Sequence, residues 1–420
     1  LAEQRDRKAR GLNEDFYDIT GWSFPYLYDV ECFGSQKKIE VTSANVNQPI
    51  SPKGQVTGPA ASVAYLVPWN SNSSGRLLAE VMRRGIRIFS TDEAFSIGGQ
   101  EFPRGSLIIK VKNNPEDLHS QLASIAQKTG ATVVPTDSAW VDSGVNFGSN
   151  NVLFLKKVRV AMAYNTPTSV GSVGSLRYLL EQAYGYPVTL IQTSDLSRSD
   201  LSDYDVLILP DYSRWGGGYQ GILGGRGLER IRSWVEAGGT LIAIGETSRW
   251  LTEEKVAFLA SEAEDKTPDD DSEEGEEEDE ADDVGDETDD YDIEASVKPE
   301  SERPDLVPGA ILRITVDNTH WLGYGYDEDA NALVESRLVM TPLKLDRGRN
   351  VARYASEDRL VLSGFTWEDS REQLAGKAYL MHQSLGRGNV VAFAENPTYR
   401  AFMDGLDLFV LNAIFFGPAH

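Results

Sequence analysis

Apolar residues recur along this chain with two periods. Short continuous runs at 206–209 and 241–244 have the pattern of strands buried on both faces. Between them Leu228, Ile231, Trp234 and Val235 fall at i, i+3, i+6 and i+7, one stripe of a helix. Gly238 and Gly239 end it, since glycine accepts the left-handed conformation that closes many helices. Residues 203–250 thus predict strand, crossover helix and strand, the unit of a doubly wound α/β fold. Upstream, strands are expected at 158–163 and 188–191. Leu176, Leu179, Leu180 and Ala183 stripe a helix over 175–184. Downstream, a helix is expected near 252–260, then strands at 310–316, 360–365, 378–382 and 389–394. The last two form a hairpin through Gly386-Arg-Gly388, and 403–416 reads as a closing apolar helix.

The same periods predict a smaller α/β domain over 61–136. Its strands are expected at 62–67, 86–89, 106–111 and 131–134. Leu77, Leu78, Val81 and Met82 stripe one helix, and Leu118, Leu122, Ile125 and Ala126 another, stopped by Gly85 and Gly130. Residues 137–156 read as a Gly/Ser/Asn-rich connector. Residues 1–15 are polar, and 36–60 suggest edge strands and turns. Between these, residues 16–28 are dense in aromatic rings, which either pack inward or dock onto something outside the chain. The expected division is a lead segment over 1–60, a small domain over 61–150 and a main domain over 151–420.

Composition changes this picture in one place. The formal net charge is −25, but residues 261–300 hold 22 acidic side chains against Lys266 and Lys298, so the rest carries only −5. Residues 261–305 therefore read as a disordered acidic insert inside the main domain, too polar to bury a core of its own. The charge argues against a nucleic-acid partner, which requires clustered Lys and Arg. With Cys32 alone, no intrachain disulfide or cysteine metal site can form. No apolar run approaches the ~18 residues of a membrane span. Leu1 follows no signal sequence and reads as a processed or excised end.

In a doubly wound fold the functional edge lies beyond the strand C-termini, here 210–226 and 245–250. A hydrolase or amidotransferase nucleophile would stand on the turn after the fourth strand, Ala243-Ile-Gly-Glu-Thr-Ser-Arg-Trp250. The turn has no cysteine and no Gly-x-Ser-x-Gly frame. Its catalytic candidates are Ser248, with Thr247 beside it, and Glu246, either a base or a carboxylate favouring a helix N-terminus. Gly216–Gly221 matches Gly-x-Gly-x-x-Gly but follows the third strand rather than the first, so a surface loop is the better reading. Residues 166–174 join the first strand to the first helix, where flavodoxin-like folds cradle phosphate. Thr166, Thr168, Ser169, Gly171 and Ser172 are the candidate ligand-binding residues, although Ser and Thr also cap helices without a ligand. His119, His320, His382 and His420 lack the His-x-x-Glu spacing of a zinc carboxypeptidase, so no metal site is expected, and His119 and His382 read as structural.

Several phrases, in order, carry a resemblance. Phe16-Tyr-Asp-Ile-Thr-Gly-Trp-Ser-Phe-Pro25 resembles the junction just downstream of the catalytic domain in large bacterial zinc carboxypeptidase (carboxypeptidase A-like) proteins. Pro308-Gly-Ala-Ile-Leu-Arg313, His320-Trp-Leu-Gly-Tyr-Gly-Tyr326, Gly386-Arg-Gly-Asn-Val-Val-Ala-Phe393, Asn396-Pro-Thr-Tyr-Arg400 and Leu411-Asn-Ala413 resemble their C-terminal region, which is similar to class I glutamine amidotransferase domains. The resemblance implies a non-peptidase region whose partner is its own upstream peptidase domain. Zinc would belong to that domain, with no cofactor in this chain. It also implies export to the periplasm or outside the cell. Gly245 or Glu246 stands where the amidotransferase cysteine would be, so glutaminase chemistry is not expected.

Overall fold

A computed structural model describes residues 2–10, 16, 19–42, 45, 47, 50, 53–212, 217–264 and 304–420. The larger of its sheets has ten strands and is mixed. Its parallel half is β1 (Val160–Tyr164), β2 (Val188–Gln192), β3 (Val206–Leu209), β4 (Thr240–Ile244) and β5 (Gly388–Phe393). Their spatial order is β2-β1-β3-β4-β5, the flavodoxin-like doubly wound order. Antiparallel strands Ala378–Leu385, Arg349–Tyr354, Ala310–Val316 and Asp329–Val334 extend it beyond β5, with Val361–Ser363 pairing the third of these.

Side-chain alternation explains the continuous apolar runs. Val160, Met162, Val206, Ile208, Ile242, Ile244, Val391 and Phe393 enter one core. Ala161, Ala163, Leu207, Leu209, Leu241, Ala243, Val390 and Ala392 enter another on the opposite face. With both faces covered, neither set can be polar. Three helices fix the C-terminal edge: α1 (Val170–Arg177), α2 (Gln220–Glu236) and α3 (Glu246–Trp250). Helix α1 runs on into a π-helical turn, Tyr178–Ala183. Helix α2 buries Leu223, Gly227, Ile231 and Val235 and is kinked at Gly224, so the glycine-rich stretch is partly helical rather than all loop.

The second sheet has six strands, in the order Gln55–Val56, Thr132–Thr136, Ala64–Val67, Leu107–Lys110, Ile88–Thr91 and Val152–Leu155. One of its faces shares the main core: Tyr65, Val67, Leu77 and Met82 lie in the same cluster as Val160, Tyr186 and Phe415. Asn412, fully buried on Asp407–Phe415, ties the parts together. It accepts from Trp69 Nε1 at 3.0 Å and donates to the Leu322 and Tyr324 carbonyls at 2.8 Å.

Four expectations need correction. Residues 252–260 form turns, not a helix, because the single α3 turn ends at Trp250 and Arg232 then holds the Val256 and Ala257 carbonyls. The 137–156 connector contains two strands, Ser143–Gly144 and Val152–Leu155. Of the described rings of residues 16–28, Phe16 alone is half-buried, stacked on Phe365. Ile19 and Leu27 go inward and Thr20 and Gly21 bond the Gly309 carbonyl, while Trp22 and Phe24 stay 57% and 67% exposed. The acidic insert is also shorter than 261–305. Ser261–Glu264 and Pro304–Asp305 belong to the fold, Ala263 bridging Met340. The remainder lies outside the described residues.

Glu264 anchors that end of the fold. Its fully buried carboxylate meets Lys377 Nζ at 2.5 Å and Gln373 Nε2 at 3.1 Å. Removing one partner of such a pair strands a buried charge. Lys377→Met is expected to lower unfolding free energy by ~3–5 kcal/mol in urea denaturation. A loss below ~1 kcal/mol would mean that water already reaches Glu264.

Candidate functional site

The C-terminal edge of the parallel strands opens into a cavity of ≈340 Å³. Four of the five connections supply lining: Ser169, Gly171 and Ser172 after β1, Asp211 after β3, Gly245 and Glu246 after β4, and Glu395, Asn396, Tyr399 and Arg400 after β5. Glu335 and Ser336 close it from the antiparallel side.

The turn from β4 into α3 is a sharp elbow. Gly245 takes φ 59° and ψ −129°, a region essentially restricted to glycine. The space a side chain would need is filled: a Cβ on Gly245 would lie 2.7 Å from Asp211 Oδ1. That same oxygen accepts the backbone N–H groups of Glu246 at 2.9 Å and Tyr212 at 2.8 Å. The Asp211 carboxyl therefore caps α3 from the place where a reactive side chain would project.

The catalytic candidates are otherwise engaged. Ser248 is fully buried and donates to the Phe393 carbonyl at 2.7 Å. Thr247 does the same to the Pro210 carbonyl at 2.7 Å. Both hydroxyls lock α3 onto β5 and β3. Glu246 lines the cavity with its carboxylate on Arg249 Nε at 2.9 Å. Of the five ligand-binding candidates, Ser169, Gly171 and Ser172 line the cavity and Thr166 and Thr168 do not. Thr168 bonds the Asn165 carbonyl at 2.6 Å. Ser169 caps α1 by accepting from Ser172 N, and Ser172 Oγ accepts from Asp211 N at 3.2 Å. These hydroxyls hold the β1–α1 and β3 connections together, the capping role.

No histidine reaches the cavity lining. His119 Nδ1 meets the Tyr65 hydroxyl at 3.1 Å. His320, His382 and Asn389 form a directed chain. Leu322 N–H donates to His320 Nδ1, so its proton sits on Nε2 and faces His382 Nδ1 at 3.1 Å; His382 Nε2 then donates to Asn389 at 2.8 Å. Burial pushes His320 down to about 3, keeping it neutral, as this chain requires. His420 meets Asp92 at 2.9 Å. Among the described residues no group of three or more His, Cys, Asp or Glu side chains is arranged to hold a metal ion.

Sequence reasoning missed Asp211, Glu335 and Glu395. Asp211 and Glu395 each stand just past an apolar run, the strand-end positions that form such a crevice. Burial, opposed by the Glu246 and Tyr212 N–H groups, raises Asp211 to about 7. Burial raises Glu395 to about 8, with the Glu335 and Asp211 charges adding to it and the Ser336 hydroxyl opposing. The sign follows. The unfolded chain loses these protons near pH 4, whereas the folded protein keeps them to pH 7–8. The contribution of these two groups to stability is therefore intact below pH ~4 and declines as pH rises toward ~8. Glu395→Gln should flatten that decline and raise the melting temperature at pH 8 by a few degrees, followed by circular dichroism at pH 5, 6.5 and 8. An equal decline in the variant would show that Glu395 is solvated.

No family model and no curated protein sequence matches this chain. Solved structures give distant likenesses. A candidate ThuA-like protein from Parabacteroides merdae is 13% identical, with TM-score 0.39, over 62% of this chain and 90% of that one. A candidate GMP synthase component from Thermoplasma acidophilum is 9% identical, with TM-score 0.37, over 61% and 92%. A glutamine amidotransferase from Thermotoga maritima is 8% identical, with TM-score 0.32, over 56% and 74%. The fold assignment rests on the strand order described above.

Proposed function

We propose that this chain is a non-catalytic α/β module with an amidotransferase-like layout. In this reading it is the structural and interaction region of an exported zinc carboxypeptidase-like protein, with the peptidase domain and its zinc on the N-terminal side of residue 1. The observation that carries the non-catalytic part is Gly245, an elbow without a side chain, with the Asp211 carboxyl in the space above it. Acyl-transfer chemistry needs a nucleophile and a base in mutual reach. Here the nearest hydroxyls are spent on backbone carbonyls. The sequence phrases from Phe16 and Pro308 onward support the carboxypeptidase context. The exposed Trp22, Phe24, Tyr26 and Tyr28 supply a surface for the neighbouring domain.

A second reading, a small molecule held in the crevice, is favoured by the cavity itself. Its acids weigh against the anionic or phosphorylated ligand expected at 166–174, since carboxylates repel phosphate.

Incubation with glutamine or a p-nitrophenyl ester at pH 7.5 should give no turnover above buffer, and intact-mass analysis with 6-diazo-5-oxonorleucine no adduct. Turnover that disappears in Ser248→Ala or Glu246→Gln would refute the non-catalytic reading. The carboxypeptidase context predicts that the gene upstream of residue 1 encodes His-x-x-Glu and a later His; a reading frame opening at Leu1 would end it.

A further inference from the structure

The crevice holds more acid than the fold needs for its own cohesion. Glu395 is 5% exposed and lines the cavity, yet the side chain it meets is the Ser336 hydroxyl, at 2.5 Å, and no cation among the described residues. Asp211 likewise meets two backbone N–H groups and no cation. A buried carboxyl without a cation is costly, and most are paired. Around these two stand Glu246, held by Arg249, and Glu335 at the rim. Among the described residues the single basic one lining the cavity is Arg400, whose guanidinium lies 5.0 Å from the Tyr399 ring centroid at the mouth. The N-terminus of α1 has its first turn capped by Ser169.

From this we infer that the crevice binds a small organic cation, an amine or guanidinium bearing several N–H donors, between Asp211 and Glu395 with Tyr399 at the entrance. The inference rests on the ligand-binding reading above and names the class of ligand. An ammonium or guanidinium donates to carboxylate oxygens in charge-assisted bonds and lies favourably against an aromatic face. A metal cation fits less well, since the described acids are not arranged as a metal cage. Because Asp211 and Glu395 hold their protons near neutrality, a cation placed between them displaces those protons to solvent. The cation arrives already charged, the carboxylic acids become carboxylates, and no covalent bond changes.

The test is isothermal titration calorimetry on the whole chain at pH 7.5, in PIPES and again in HEPES. The probes are 1,4-diaminobutane, agmatine, glucose, calcium chloride and inorganic phosphate. At least one of the two amines should bind, with a heat that differs between buffers in the sense of proton release. Binding should weaken at least tenfold in Asp211→Asn/Glu395→Gln. The melting temperature of that variant at pH 8 shows whether it is folded. If it does not fold, Glu335→Gln, at the exposed rim, should still weaken the amine by about threefold. Amine binding unchanged in a folded double variant, tighter binding of phosphate, glucose or calcium, or no heat from either amine would overturn the assignment. The non-catalytic reading fails on a different result, turnover or a covalent adduct.

Discussion

One carboxyl group sets the character of the crevice. Asp211 extends from the end of β3 and accepts the first N–H of α3, so that the third and fourth strand connections are fastened to each other. The fastening requires the elbow residue to have no side chain, and Gly245 meets that requirement. Catalytic versions of such an elbow hold a nucleophile at this point under strain. Here the same backbone geometry serves cohesion. Ser248 and Thr247 follow the same logic, each hydroxyl donating to a carbonyl at a strand end.

The surrounding architecture supports this rigidity. Both faces of the parallel strands are buried in separate apolar clusters, so a shift of β3 or β4 would disturb two cores at once. On one side the core continues into the six-stranded sheet, with Asn412 holding Trp69 and two carbonyls at the junction. The crevice thus sits on a firm base, while Leu27 anchors the otherwise mostly exposed Trp22–Tyr28 segment in the main core.

Much of the fold was legible in the sequence. The parallel strands at 206–209 and 241–244, their crossover helix, and the stops at Gly85 and Gly130 are local signals, set by apolar runs and by backbone that only glycine adopts easily. Strands such as Arg349–Tyr354 and Asp329–Val334 were not legible, because Arg349, Asn350 and Arg353 break the apolar run of the first and Asp329 and Asn331 that of the second. The site was half legible. The position of the elbow followed from the strand–helix–strand unit, and Ser169, Gly171 and Ser172 were placed on the cavity edge. The roles were not legible: a hydroxyl's partner is a tertiary fact, and so is the convergence of Asp211, Glu335 and Glu395 from three distant segments.

A double-mutant cycle between Gly245→Ala and Asp211→Ala tests the central claim most directly, read as unfolding free energies in denaturant. The elbow conformation alone makes Gly245→Ala unfavourable by ~1–3 kcal/mol, and the clash with Asp211 adds to this. If the carboxyl fills the reaction space, removing it relieves that clash. The two changes then couple by ~1 kcal/mol or more, with the double variant better than the sum. Additivity within ~0.3 kcal/mol would mean that the space above Gly245 is open, and that the elbow lacks a nucleophile for some reason other than Asp211.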